Sequence, residues 1–213
     1  MKLNNKIFIE TTKIEDIPWE LLEGPYERCT DFPQWITSLT GKCADHITTG
    51  KEKIALNFEH QETLWSVTPF IMLILRKTLN EVKNPVKIVA ILDLYEIIYK
   101  IANAYLKIYK EKNEAPLPHF SDMLKEKNLF PPISIYKDYY DDEELLSEEY
   151  HENIPDELFI SFYYYSWLIL AYSINYDFPQ LKEFPDDSVK ERLKKFENKS
   201  LNLLLNDLLI NLS

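Results

Sequence analysis

Residues 84 to 112 read NPVKIVAILDLYEIIYKIANAYLKIYKEK, and this stretch decides the fold class of the 213-residue chain. Asn84 followed by Pro85 is a typical helix start, because an Asn side chain caps the first turn and Pro is tolerated at the first helical position. Apolar side chains then recur at helical spacing on most sides of the segment, so that only a thin polar side remains. We predict one long central helix from Val86 to about Lys112 that other helices cover on several sides. The positions expected to be buried in it include Leu92, Ile101 and Ile108.

The remainder of the chain also favours helices. It contains only three Gly residues, which is too few for the many turns of a β-sandwich or barrel. None of the three stands in the spacing of a P-loop or a dinucleotide-binding loop, so those nucleotide-binding classes are excluded. The prediction is an all-α, single-domain, multi-helix bundle over residues 1–213, with an array of divergent helical hairpins as an alternative arrangement.

Capping and helix-breaking residues place the other predicted elements. A short N-terminal strand is predicted at Lys6 to Glu10. Gly50 is interpreted as a helix terminator between one helix at Cys43 to Ile47 and another from Lys51 to about Trp65. The further predicted helices are Phe32 to Thr40, Thr68 to about Lys83, Asp156 to about Asn175, and a C-terminal pattern from Asp186 that breaks near Asn198. A Pro-rich connection is predicted near residues 115–135.

The negative charge of the chain is concentrated in one segment. The whole chain has 35 acidic and 24 basic residues, a formal net charge of -11, whereas residues 138–157 hold ten of the acids and neither Lys nor Arg. Such an acidic segment repels nucleic acids and anionic membranes, and it attracts a basic partner. The partner-binding carboxylates predicted here are Asp138, Asp141, Asp142, Glu143, Glu144, Glu148 and Glu149.

Residues 158–176 require a comparison with membrane-spanning helices, since they run for nineteen residues without a charge. Three serines, one asparagine and five tyrosines interrupt the stretch, and a lipid environment would have to desolvate their polar groups. A buried core helix is therefore predicted. The two cysteines and the start of the chain, which lacks a long apolar core, favour a cytoplasmic protein with reduced thiols.

A metal-binding or enzymatic function is the main alternative to partner binding. Cys43 and His46 are three residues apart and would share one helix face, and Cys29 and His60 are conceivable further zinc ligands. However, neither Cys29 nor His60 stands in a paired ligand motif, and the sequence contains neither a nucleophile elbow nor a thiol-enzyme signature. We expect no metal, no other cofactor and no catalytic residues, and the question of enzymatic activity stays open.

The aromatic run at residues 162–167 directly follows the acidic segment. On a helix its rings would form two stripes, one through Phe162 and Tyr165 and the other through Tyr164 and Trp167, and core packing explains both stripes. Because Tyr and Trp are also frequent interface anchors, Tyr164 and Trp167 join the predicted partner-binding residues.

These observations favour a binding protein over an enzyme. The predicted function is that of a bacterial, antitoxin-like immunity protein, which neutralises a toxin by occluding its basic site. An inhibitor needs no catalytic residues and gains association rate from its carboxylates. A helical scaffold and a phage-encoded anti-defence protein are the remaining alternatives. Neither nucleic acid nor membrane is expected as a partner.

Overall fold

The computed structural model describes residues 4–26, 29–130 and 152–212 of the chain. This part of the chain is predominantly helical, which confirms the predicted all-α class. The α-helices are α1 (Asn5–Thr11), α2 (Phe32–Leu39), α3 (Ala44–Phe58), α4 (Thr68–Glu81), α5 (Pro85–Lys112), α6 (Asp156–Tyr172), α7 (Phe178–Leu181), α8 (Asp187–Lys194) and α9 (Lys199–Asn206). An antiparallel hairpin of two short strands, β1 (Glu59–His60) and β2 (Thr63–Leu64), joins α3 to α4.

Helix α5 is central, as the sequence predicts. The Asn84 side chain accepts hydrogen bonds from the backbone N–H groups of Val86 at 2.9 Å and Lys87 at 3.4 Å, and Pro85 takes the first helical position. At the other end, Asn113 adopts a left-handed conformation with φ at 56° and closes the helix. The helix packs against α3, α4, α6, α8 and α9, which explains why apolar residues occur on most of its sides.

The buried positions predicted within α5 are confirmed in two of three cases. Leu92 is fully buried and Ile101 is 3% exposed, but Ile108 is 48% exposed. The prediction for Ile108 is wrong because this residue, one turn from the end of α5, lines an open pocket rather than the core.

Helices α2 and α3 are in close contact, and the α2 backbone lies directly against Gly50. A Cβ atom at position 50 would lie 2.5 Å from the backbone nitrogen of Leu39 and 2.7 Å from the backbone oxygen of Trp35. Gly50 is therefore needed inside α3 for packing, and the predicted helix break there is wrong. The predicted extension of this helix to Trp65 is also wrong, since the chain enters the β1–β2 hairpin after Phe58.

The predicted strand at Lys6 to Glu10 is wrong, because these residues belong to α1. The Asn4 side chain caps this helix by accepting a hydrogen bond from the N–H of Ile7 at 2.9 Å. Phe8 and Ile9 are buried. Five residues of mixed apolar character fit a strand and a helix equally well, and only the cap and the packing against the core distinguish them.

Helix α6 is the predicted aromatic core helix. The hydroxyls of Ser161 and Ser166 donate hydrogen bonds to the carbonyl oxygens of Glu157 and Phe162, both at 2.6 Å, so these polar groups are satisfied inside the helix itself. After Tyr172 the helix widens into a π-helical turn at Ser173–Asp177 that leads into α7. Within the described ranges, no helix combines the length and the apolar character that crossing a membrane requires.

The C-terminal helices cover the polar side of α5. Arg192 of α8 forms an ion pair with Asp93 at 2.6 Å, and Lys195 forms one with Glu96 at 2.5 Å. The predicted break near Asn198 is confirmed, and its side chain caps α9. One cluster of buried apolar side chains extends from residue 8 to residue 212.

Candidate functional site

A pocket of about 410 Å³ opens between the β1–β2 hairpin, the C-terminal half of α5 and the first turns of α6. Aromatic rings form much of its wall, and we therefore call it the aromatic pocket. The rings belong to Tyr105, Tyr109, Phe159, Tyr163 and Trp167, and the charged lining residues are Glu62, Lys112, Glu114 and Asp156. Its volume is at the lower end of the range typical of ligand pockets, so it suits a single side chain or a small group.

Helical spacing explains why the rings converge. Tyr105 and Tyr109 are four residues apart on α5, as are Phe159, Tyr163 and Trp167 in succession on α6, and residues at this spacing share one helix face. The ring centroids of Tyr109 and Trp167 are 5.6 Å apart at an interplanar angle of 83°, and those of Tyr163 and Trp167 are 5.6 Å apart at 61°. Such edge-to-face contacts are favourable, so the rings are held in place by one another.

The tip of the β1–β2 hairpin is a strained turn that faces the aromatic pocket. Gln61 has φ at 50° and Glu62 has φ at 67°, which is the left-handed region that a two-residue hairpin turn requires and that Gly or Asn normally occupies. Residues such as Gln and Glu adopt this backbone conformation only where the surrounding structure holds them in it.

Two pocket tyrosines hold this turn. The Tyr105 hydroxyl donates a hydrogen bond to Glu62 Oε2 at 2.5 Å. The Tyr163 hydroxyl accepts a hydrogen bond from the N–H of Leu64 at 3.3 Å and makes a long contact of 3.5 Å with the carbonyl oxygen of Glu62. Within the hairpin, the N–H of Glu62 donates to Glu59 Oε1 at 2.6 Å. The Tyr105 hydrogen bond orients the Glu62 carboxylate at the edge of the aromatic pocket.

The lining of the aromatic pocket is net negative. Lys112 pairs with Glu114 at 3.8 Å, so these two opposite charges cancel. The negative charges of Glu62 and Asp156 remain on the lining. The hydrogen bond to the Glu62 carboxylate raises the pKa of Tyr105, and burial, together with the neighbouring Tyr164 and Glu114, raises the pKa of Tyr109. Both phenols therefore stay neutral at pH 7, and the local field favours a positive charge.

Two buried polar atoms at the aromatic pocket have no hydrogen-bond partner among the residues that the structure describes. They are the Tyr109 hydroxyl oxygen and the indole nitrogen of Trp167, a residue that is 1% exposed. An indole N–H can only donate a hydrogen bond, whereas a phenol hydroxyl can donate or accept one. Buried polar groups are ordinarily paired, so these two atoms are exceptions in the wall of the aromatic pocket.

The predicted partner-binding residues divide into three cases. Asp138, Asp141, Asp142, Glu143, Glu144, Glu148 and Glu149 lie outside the described residues. Tyr164 is 6% exposed, and its hydroxyl accepts a hydrogen bond from Asn211 Nδ2 at 2.8 Å, so this ring packs in the core. Trp167 is 1% exposed and lines the aromatic pocket. The prediction of partner binding by these residues stays a prediction.

The structure does not bring the proposed metal ligands together. Cys43 and His46 are exposed at the start of α3, whereas His60 follows the end of that helix and its Nδ1 lies 2.8 Å from the Tyr26 hydroxyl. The length of α3 separates the two ends by roughly 20 Å. In the described ranges, no group of three or more His, Cys, Asp or Glu side chains is arranged to hold a metal ion.

Sequence reasoning missed most of the aromatic pocket. Tyr105, Tyr109 and Glu62 were not candidates, and Phe159 and Tyr163 belong to neither of the two stripes predicted on α6. The repeated four-residue spacing of aromatic residues on both helices is the signal that points to them.

Comparison of the chain with protein-family models, with curated proteins and with solved structures finds no significant match in any of the three.

Proposed function

We propose that this protein is an inhibitor that binds another protein and occludes a basic site on it, in the manner of a bacterial immunity protein. The observation that carries the proposal is the aromatic pocket with its net negative lining. Helix α6 begins there, and Asp156 is both a lining residue of the pocket and one of the ten acids of the segment 138–157. Aromatic anchors beside carboxylates suit a protein partner of opposite charge.

In this proposal the two features have different tasks. The acidic segment accelerates the encounter, because clustered carboxylates steer a basic partner over distances comparable to the Debye length. The aromatic pocket then slows dissociation, because buried aromatic anchors at the centre of an interface carry most of the binding energy. A cytoplasmic location, a bacterial source and a preference for protein over nucleic acid belong to the same proposal, and they rest on composition and charge.

The test begins with capture of a partner at low salt and continues with the purified partner. Association and dissociation rates are measured at two salt concentrations for the parent protein and for a variant with Asp141→Asn, Asp142→Asn, Glu143→Gln and Glu144→Gln. We expect this variant to associate about tenfold more slowly at low salt, with a flatter salt dependence and an almost unchanged dissociation rate. Its thermal unfolding is expected to match or exceed that of the parent, since like charges no longer repel each other.

The activity of the partner is measured in the same experiment. An inhibitor must reduce that activity in proportion to the complex formed, and a partner that stays fully active in the complex would contradict the proposed function. Equal association rates for parent and variant at low salt would remove the acidic segment from the mechanism.

A further inference from the structure

We propose that the aromatic pocket receives an arginine side chain of the basic partner. This inference rests on the proposed function and specifies the chemical group that the partner inserts.

The net negative lining of the aromatic pocket favours a cationic group. The ion pair between Lys112 and Glu114 leaves the charges of Glu62 and Asp156 on the lining. The Glu62 carboxylate is already oriented, because its Oε2 accepts the Tyr105 hydrogen bond, and its second oxygen can accept from a cationic donor. An oriented carboxylate loses little further entropy when it binds, which favours the interaction.

The aromatic wall of the pocket favours arginine over lysine. A guanidinium group stacks on the faces of Tyr, Trp and Phe rings, is planar, and is more weakly hydrated than an ammonium group. It also carries several N–H donors in a fixed plane, which match the two oxygens of a carboxylate.

The same combination of groups already binds a guanidinium elsewhere in this fold. Arg76 has its Cζ atom 4.4 Å from the centroid of the Tyr172 ring, and its Nε lies 2.8 Å from Asp177 Oδ2. Its side chain is only 12% exposed, so a tyrosine face and one carboxylate suffice to hold an arginine out of solvent here. The aromatic pocket offers more rings and more acidic groups.

The experiment uses short peptides as probes. The peptide acetyl-Gly-Arg-Gly-amide is titrated into the ¹⁵N-labelled full-length protein, with the citrulline and lysine peptides as matched controls. Citrulline has nearly the same shape as arginine but no charge. The readout is the indole N–H signal of Trp167, assigned from the spectrum of Trp167→Phe; the other three tryptophans (Trp19, Trp35 and Trp65) are internal controls. We expect a saturable displacement of the Trp167 signal by the arginine peptide, at concentrations up to about 10 mM.

Variants locate the binding site. The double variant Glu62→Gln with Asp156→Asn is expected to weaken binding of the arginine peptide about fivefold, whereas Glu52→Gln, which removes an exposed carboxylate on α3, is expected to leave it unchanged. The unfolding temperature of each variant shows whether the fold is intact.

The proposal is overturned if the citrulline peptide displaces the Trp167 signal equally, if the lysine peptide binds more tightly, or if no displacement occurs up to the stated concentration. The two proposals can also fail separately. If a protein partner is inhibited but binds equally well to the Glu62→Gln, Asp156→Asn variant, the arginine assignment fails while the inhibitory function stands. If the peptide binds as expected but the captured partner keeps its activity, the inhibitory function fails while the pocket assignment stands.

Discussion

Replacing Asp177 by Asn is expected to destabilise the fold by about 3 to 5 kcal/mol. The Asp177 carboxylate is 3% exposed and accepts hydrogen bonds from Arg76 Nε at 2.8 Å, from Arg76 Nη2 at 3.2 Å and from Asn80 Nδ2 at 2.9 Å. An Asn side chain keeps the shape of the carboxylate but removes its charge, so the buried guanidinium of Arg76 loses its counter-ion. The desolvated and uncompensated charge, rather than the lost hydrogen bonds, determines this magnitude.

The Arg76–Asp177 ion pair connects two elements of the core, so its loss is expected to lower the stability of the whole fold. Asp177 is the last residue of the π-helical turn after α6, and Arg76 lies on α4, so the pair joins two helices of the core through one buried contact. The double variant Arg76→Met with Asp177→Leu replaces both charges by apolar side chains. It is expected to recover most of the stability that Asp177→Asn loses, because neither ion then has to be desolvated.

The assay is urea and thermal unfolding followed by circular dichroism. For a chain of this length, the loss expected for Asp177→Asn corresponds to a decrease of about 10 °C in the unfolding temperature. The matched control is Asp207→Asn, since the ion pair of Asp207 with Lys110 has a carboxylate that is 60% exposed and is expected to contribute less than about 1 kcal/mol. A loss for Asp177→Asn no larger than that of the control would refute the reasoning, as would a loss for the double variant Arg76→Met, Asp177→Leu that is as large as the loss for Asp177→Asn.

Three further predictions concern packing and pH. Gly50→Ala is expected to lower stability by about 1 to 3 kcal/mol in thermal unfolding, although helix propensity alone favours Ala; an unchanged or higher unfolding temperature would contradict the close contact of α2 and α3. Ile101→Asp is expected to cost several kcal/mol because it buries a charge, whereas Ile108→Asp, at an exposed position, should cost less than about 1 kcal/mol; equal losses would contradict the observed burial. Burial acts to raise the pKa of Glu96, but its two lysine ion pairs outweigh burial and lower the pKa below the ordinary 4.5. Glu96 therefore stabilises the fold above pH 4.5, and this contribution is lost as the pH falls through the depressed value. Glu96→Gln should reduce the acid sensitivity of urea unfolding below about pH 4.5, and an unchanged pH profile would be evidence against the ion pairs.

Helix starts could be predicted wherever the signal is a contact within one turn. The Asn84-Pro85 pair is of this kind, because the Asn84 side chain accepts hydrogen bonds from N–H groups two and three residues later. Near Asn198 only a break was predicted, and the structure shows that the Asn198 side chain caps α9 in the same way. Such contacts depend on few residues, and no distant part of the chain has to be in place before they form.

Gly50 shows where local reasoning fails. A glycine between two polar stretches is typical of a helix end, but here it lies inside α3 because α2 approaches its backbone closely. The strand prediction at Lys6 to Glu10 failed for a related reason. A five-residue apolar pattern is compatible with both a strand and a helix, and the surface that it packs against decides which one forms.

By itself, the sequence determined the helical class, the central position of α5 and the concentration of acids between residues 138 and 157, because periodicity, caps and charge are properties of neighbouring residues. The aromatic pocket was decided only by the tertiary structure. Its parts come from Glu62 on a hairpin, from residues 105–114 around the end of α5 and from residues 156–167 on α6, which are more than forty residues apart in the chain. Which of the many aromatic side chains face this pocket and which face the core depends on how the helices pack. Tyr164 and Trp167 demonstrate this, since they lie on one predicted stripe and yet only Trp167 lines the pocket.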